Sequence, residues 1–155
     1  MASTGSLLPG RGLFIYACRI SKRIPVRRMN ATLDTVLLIS VGAVVGANAR
    51  HWLGTWVNQG ISSSFPYATL LINVSGSFLL GLLYTVAVEK SVISPRAGLA
   101  LFTGFFGSFT TFSTFMLESL QLIEQAPLHS LLNIVSSVLL GLTAAAGGIW
   151  LGKSL

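Results

Sequence analysis

Between Gly104 and Phe115 the chain reads Gly-Phe-Phe-Gly-Ser-Phe-Thr-Thr-Phe-Ser-Thr-Phe, and no charged residue falls between Ala97 and Leu117. Thr110, Thr111, Ser113 and Thr114 place four hydroxyls in five positions, interleaved with Phe109, Phe112 and Phe115. Hydroxyls are neutral donors that rotate to suit a partner. Phenyl rings carry a negative face and a positive edge. Side by side, the two kinds of group can stabilise a small anion without gripping it as a buried lysine or arginine would. Such a site favours passage, which needs favourable binding and feasible release. Spaced i,i+3, the three phenyls are expected to form one slightly drifting stripe beside the hydroxyls; the plainer alternative, a stripe that only faces lipid or fills the core, leaves the hydroxyls unexplained.

Other segments carry matching groups. Asn73 is followed one turn later by Ser77, and Asn133 by Ser137, each pair at i,i+4 and so on one helical face. Polar side chains inside apolar segments are costly and mark function. No carboxylate falls at mid-segment. Asp34 is at a segment edge, Glu118 is near the end of the third, and Arg50 is the one deep candidate for a cation. His51 and His129 stand alone, and the single cysteine, Cys18, excludes an intrachain disulfide framework. With no nucleophile–base pair and no metal-ligand cluster, the sequence points away from an enzyme.

These residues are carried by four apolar segments, about 33–57, 67–88, 96–123 and 128–151. With 52% hydrophobic and 9% charged residues among 155, the chain has too little polar surface for a soluble domain, where roughly 25% is charged. Each segment is long enough for the ~20 residues of a spanning helix. Short joints at 58–66, 89–95 and 124–127 require antiparallel neighbours. The expected fold is therefore an all-α membrane protein of four transmembrane helices. Gly107 and Ser108 weaken the third helix just before its hydroxyls, and loosened backbone at membrane depth is tolerated where it faces protein or an aqueous path. Trp52, Trp56, Tyr67 and Trp150 fall near segment ends, as interfacial aromatics do. Gly42, Gly46 and Ala49, then Gly76 and Ser77, then Gly141 and Ala145 mark expected close helix approaches.

Two domains are expected, a basic extension over 1–30 and the channel-like body over 31–155. The net charge of +6 belongs to the extension, where Arg11, Arg19, Lys22, Arg23, Arg27 and Arg28 meet no acid. The body is neutral, so the charge does not argue for a nucleic-acid partner. Arg-rich, acid-poor composition with Ser3, Ser6 and Ser21 fits an organelle-targeting peptide, or a segment upstream of a start at Met29.

The motifs resemble the Fluc (CrcB) fluoride channels over about residues 37–151. Gly-Ala-Val-Val-Gly-Ala-Asn-Ala-Arg at 42–50 is similar to the family's small-residue run ending in arginine. Thr-Leu-Leu-Ile-Asn-Val-Ser-Gly-Ser-Phe at 69–78 matches its Thr-Leu-x-x-Asn-x-x-Gly-Ser-Phe pattern, and the 104–115 run with Glu118 is the most specific match. The resemblance implies a broken third helix, an antiparallel, dual-topology homodimer in lipid, and two fluoride pores at its interface. It implies pore roles for Asn73, Phe112 and Phe115, with Ser113, Thr114 and Ser137 completing the path. It also implies a structural sodium ion at the dimer centre, held by the backbone carbonyls of Gly107 and Thr110. Three positions depart from the pattern: Ser108 stands for a second glycine, Asn133 for a common tyrosine, and Asn48 is an unusual polar residue before Arg50.

The implied activity is passive fluoride export across the plasma membrane, or across an organelle membrane if residues 1–30 are a targeting peptide. The rival class is a small multidrug-resistance-type four-helix cation exporter, which requires a midplane acid that the segments lack. A third reading, a non-transporting assembly factor, gives the hydroxyl–phenyl run no purpose.

Overall fold

A computed structural model describes residues 33–61 and 63–155; the expectations for the extension lie outside the described residues. Among the described residues the structure is helical with no strand. The elements are α1 (Leu33–Gly60), α2 (Tyr67–Lys90), α3 (Pro95–Gly98), α4 (Leu99–Phe106), α5 (Gly107–Phe109), α6 (Phe112–Gln125) and α7 (Pro127–Ser154). They make four spans long and apolar enough to cross a membrane, with α3 to α6 together forming the third, Pro95–Gln125.

Local chemistry sets the ends. Pro66 precedes α2, and Ser91 closes it with φ at 51°, a left-handed turn that stops the spiral. Ser94 caps α3, its Oγ accepting the Ala97 amide at 3.2 Å, with Pro95 at the first helical position. Pro127 opens α7 in the same manner, so the last joint shrinks to Ala126. Within the third span, α4 adopts the wider i→i+5 spiral of a π-helix.

Glycines decide which spans touch. A Cβ at Gly42 would run into the Ala100 carbonyl, and one at Gly104 would lie 2.6 Å from the Ile39 carbonyl, so α1 lies backbone to backbone on α4. The Ser108 hydroxyl donates across the same seam to the Ala43 carbonyl at 3.0 Å. The α2–α7 pair is closed by Gly81 against Ala145 and by Gly148 against Phe78. Gly141 was expected to do this, but its nearest neighbour is Ser77 Oγ, 3.9 Å from where a Cβ would sit. Such approach is how helices associate where lipid removes the hydrophobic drive.

The fully buried apolar core is small, built around Ile72, Phe106, Phe109, Phe115 and Leu122. Large apolar side chains instead face outward along α1 (Val41, Val44, Val45) and α7 (Leu131, Val135, Leu139, Leu142). Asp34 and Arg96 pair at 3.5 Å, and Lys90 donates to the Leu155 carbonyl. Those contacts set the starts of the first and third spans side by side, and the end of the second beside the end of the fourth.

Candidate functional site

The third span changes course between Phe109 and Phe112. Thr110 (φ −81°, ψ 155°) and Thr111 (φ −146°, ψ 119°) are both extended. Asn73 of α2 holds this stretch with both ends of its amide. Its Oδ1 accepts the Thr111 amide at 2.8 Å, and its Nδ2 donates to the Thr111 carbonyl at 3.0 Å, as a neighbouring strand would. Thr111 then restarts the helix as its cap: Oγ1 accepts the Thr114 amide at 3.3 Å and donates to Thr114 Oγ1 at 3.0 Å.

Two carbonyls are released by this arrangement. Helical continuity would bring the Thr111 amide to the Gly107 carbonyl, but that amide goes to Asn73. The extended ψ of Thr110 turns its own carbonyl off the helix axis. A Cβ added at Gly107 would meet nothing within 4 Å, so the backbone there borders open space. Hard backbone oxygens freed at a helix interruption suit an alkali cation. The Gly107 and Thr110 carbonyls therefore fit the ligand type expected for sodium.

Beside the interruption is an open cleft of about 260 Å³, lined by Asn73, Ser77, Thr110, Thr111, Phe112, Phe115 and Ser137, with Leu80 and Val138. Its polar wall holds neutral groups alone. One N–H of Asn73 remains after the bond to Thr111, and Ser77 and Ser137 line the same space.

The structure brings Asn73, Phe112, Phe115 and Ser137 together at this cleft; Ser113 and Thr114 are exposed and off its wall. They sit at the start of α6, with Ser113 Oγ 3.5 Å from Thr111 Oγ1. The expected Phe109–Phe112–Phe115 stripe does not form. It assumes one unbroken helix, and two extended residues intervene. Phe109 turns inward and stacks on Phe105, centroids 5.5 Å apart and planes 10° apart. Phe112 and Phe115 do pair, at 5.8 Å and 59°, with Phe112 73% exposed and Phe115 only 4%.

Three features escape a linear reading. Thr111 is the hinge of the site, one of four similar hydroxyls until its dihedrals are known. Glu118 lies two turns inside the end of α6, its Oε1 accepting from Thr69 Oγ1 at 2.8 Å while Oε2 is buried with no hydrogen-bond partner. Asn133 does not line the cleft; it turns into the α6–α7 seam and is 1% exposed.

A four-span membrane protein with a neutral, aromatic-edged cleft beside interrupted helix backbone is a pathway protein in class. Residues 37–149 match the family described as CrcB-like protein, Camphor Resistance (CrcB). Relatives named "Fluoride-specific ion channel FluC" include one from Oceanobacillus iheyensis, 44% identical over 118 residues, covering 76% of this chain and 90% of the relative. One from Parabacteroides distasonis is 40% identical over 121 residues, covering 77% and 94%. Another, from Acidobacterium capsulatum, is 40% identical over 117 residues, covering 75% and 90%. This chain belongs to the CrcB-like family and is a multi-pass membrane protein.

Proposed function

We propose that this chain forms a fluoride-selective channel that passively exports fluoride and so protects the cell from it. The observation that carries the reading is the cleft: the rings of Phe112 and Phe115 beside the neutral side chains of Asn73, Ser77 and Ser137, with no charged group on the wall. Relatives bearing the name of fluoride channels support the choice of ion. Hydrogen fluoride crosses membranes as a neutral weak acid and releases F⁻ inside. A negative-inside potential drives the anion out by roughly 2.3 kcal/mol per 100 mV. A selective pore then suffices, without a coupling site.

The working unit in this reading is an antiparallel homodimer in the plasma membrane, with the broken third helices crossing at its centre. The cleft is open on one side and Phe112 faces outward, so a second copy completes the wall. Sodium is expected at that centre: the Gly107 and Thr110 carbonyl oxygens would hold it, and the ion would supply a fixed positive charge between the two interruptions. Ser113 and Thr114, exposed in the single subunit, extend the polar path toward the partner.

The test is fluoride efflux from liposomes containing the purified protein, with chloride as control. Efflux of fluoride well above empty vesicles, with chloride retained, is expected. Equal passage of both ions, or of neither, overturns the assignment.

A further inference from the structure

The α6–α7 seam holds a set of polar side chains that the cleft does not use directly. Ser119, Ser130 and Asn133 are 3%, 2% and 1% exposed, among the most buried residues described. Polar groups so deep persist only when their hydrogen bonds are met. Here they are met in one direction. Ser137 Oγ donates to Asn133 Oδ1 over a long 3.5 Å, Asn133 Nδ2 donates to Ser119 Oγ at 2.9 Å, and Ser119 Oγ donates to the Phe115 carbonyl at 2.7 Å. Both ends of this run, Ser137 and Phe115, line the cleft. Ser130 is attached differently, its Oγ donating to the Ser119 carbonyl at 2.7 Å. It holds the same two helices together but has no bond to Ser137.

We propose that Asn133 is a positioning residue for anion passage, acting through Ser137 and Phe115 without touching the ion. The inference rests on the fluoride-channel reading above. Two consequences follow from the lengths of the bonds. The short bonds from Asn133 to Ser119 and from Ser119 to Phe115 fix the turn of α6 that carries the buried phenyl. At 3.5 Å the Ser137 hydroxyl has Asn133 Oδ1 as a nearby acceptor but is not firmly held by it, so the proton can rotate to an arriving anion and return when it leaves. A strong acceptor in place of Asn133 would retain that proton, and an apolar one would leave the hydroxyl free to turn away.

The seam contains its own control. If the network serves only to hold α6 on α7, removing the Ser130 hydroxyl should matter as much as removing that of Ser119. If it positions the cleft, the two should separate. We expect Asn133→Leu and Ser119→Ala to lower fluoride efflux from liposomes roughly tenfold, within the range found for coupled contacting residues. Ser130→Ala should conduct within about twofold of the parent, although thermal unfolding should find it destabilised to a similar degree as Ser119→Ala. Should Asn133→Leu fail to assemble, the Ser119→Ala and Ser130→Ala pair decides alone. Equal flux losses in those two, parental flux in both, or a larger loss in Ser130→Ala overturns the proposal. A parent protein that passes no fluoride overturns the channel reading itself, and the proposal with it.

Discussion

At the scale of single residues, the cleft separates side chains that meet the path from those that build it. Phe112 is exposed and makes little of the core, so Phe112→Ile should remove the ring edge at small cost to folding. We expect fluoride efflux to fall at least tenfold while the purified protein keeps its size-exclusion profile; parental flux in this variant would reduce Phe112 to lipid contact. Phe115→Ile is a less clean experiment, because Phe115 is buried and its truncation also leaves a cavity. Asn73 has two duties that one substitution can distinguish. Asn73→Asp keeps an acceptor for the Thr111 amide but sets a second oxygen against the Thr111 carbonyl, and it adds an acceptor-only group beside an anion path. Near-complete loss of flux is expected. Asn73→Ser is too short to span both Thr111 groups but introduces no repulsion, so partial flux should remain. Equal flux in Asn73→Asp and the parent would remove Asn73 from the mechanism.

At the scale of elements, the third span is governed by where its backbone bonds go. Gly107 has ordinary helical dihedrals, φ −63° and ψ −28°, so backbone freedom is not why a glycine stands there. A Cβ would also meet nothing within its own subunit. Gly107→Val should therefore leave the subunit folded and harm what the proposed function sets outside it, the second copy and the sodium ion proposed between the two. The expected result is unchanged helical circular dichroism with loss of dimer on size exclusion and loss of flux. Gly148→Val makes the contrast, since its Cβ would enter the Phe78 carbonyl inside the subunit. That variant should lose helical packing itself and expression with it. If both variants behave alike, the interface assigned to Gly107 is mistaken.

At the scale of the whole molecule, antiparallel assembly from one chain requires copies inserted both ways, hence a small Lys/Arg bias between the two faces. Lys90, Arg96 and Lys153 share one face, opposed by Arg50 in α1. Residues 1–28 hold six basic residues and no acid, and an excess of that size ahead of the first span in sequence should drive nearly every copy to one orientation. Topology reporters fused to the C-terminus should find a protein beginning at Met29 in both orientations and one retaining residues 1–28 in a single orientation. Fluoride resistance should follow the first pattern in cells lacking their own exporter. A fully active, dual-topology protein with residues 1–28 intact by mass spectrometry would refute this.

Four spans and their antiparallel order were legible from residue types and spacing, because hydropathy and helical period are local properties; a shared role for Asn73, Phe112, Phe115 and Ser137, with Ser113 and Thr114, came only from the family resemblance. What could not be read is which of four adjacent hydroxyls becomes the hinge. That choice belongs to Asn73, 38 residues away, whose amide takes the Thr111 backbone out of the helix. Once two residues are extended, the i,i+3 spacing of the phenyls no longer describes one face, and Phe109 goes to the core while Phe112 faces out. The same holds for Asn133: its period put it on the face of Ser137, but Ser119 on another helix turned it into the seam. Sequence determined the elements and their chemical inventory; long-range hydrogen bonds, which no local pattern encodes, decided which polar groups face the path and which hold it open.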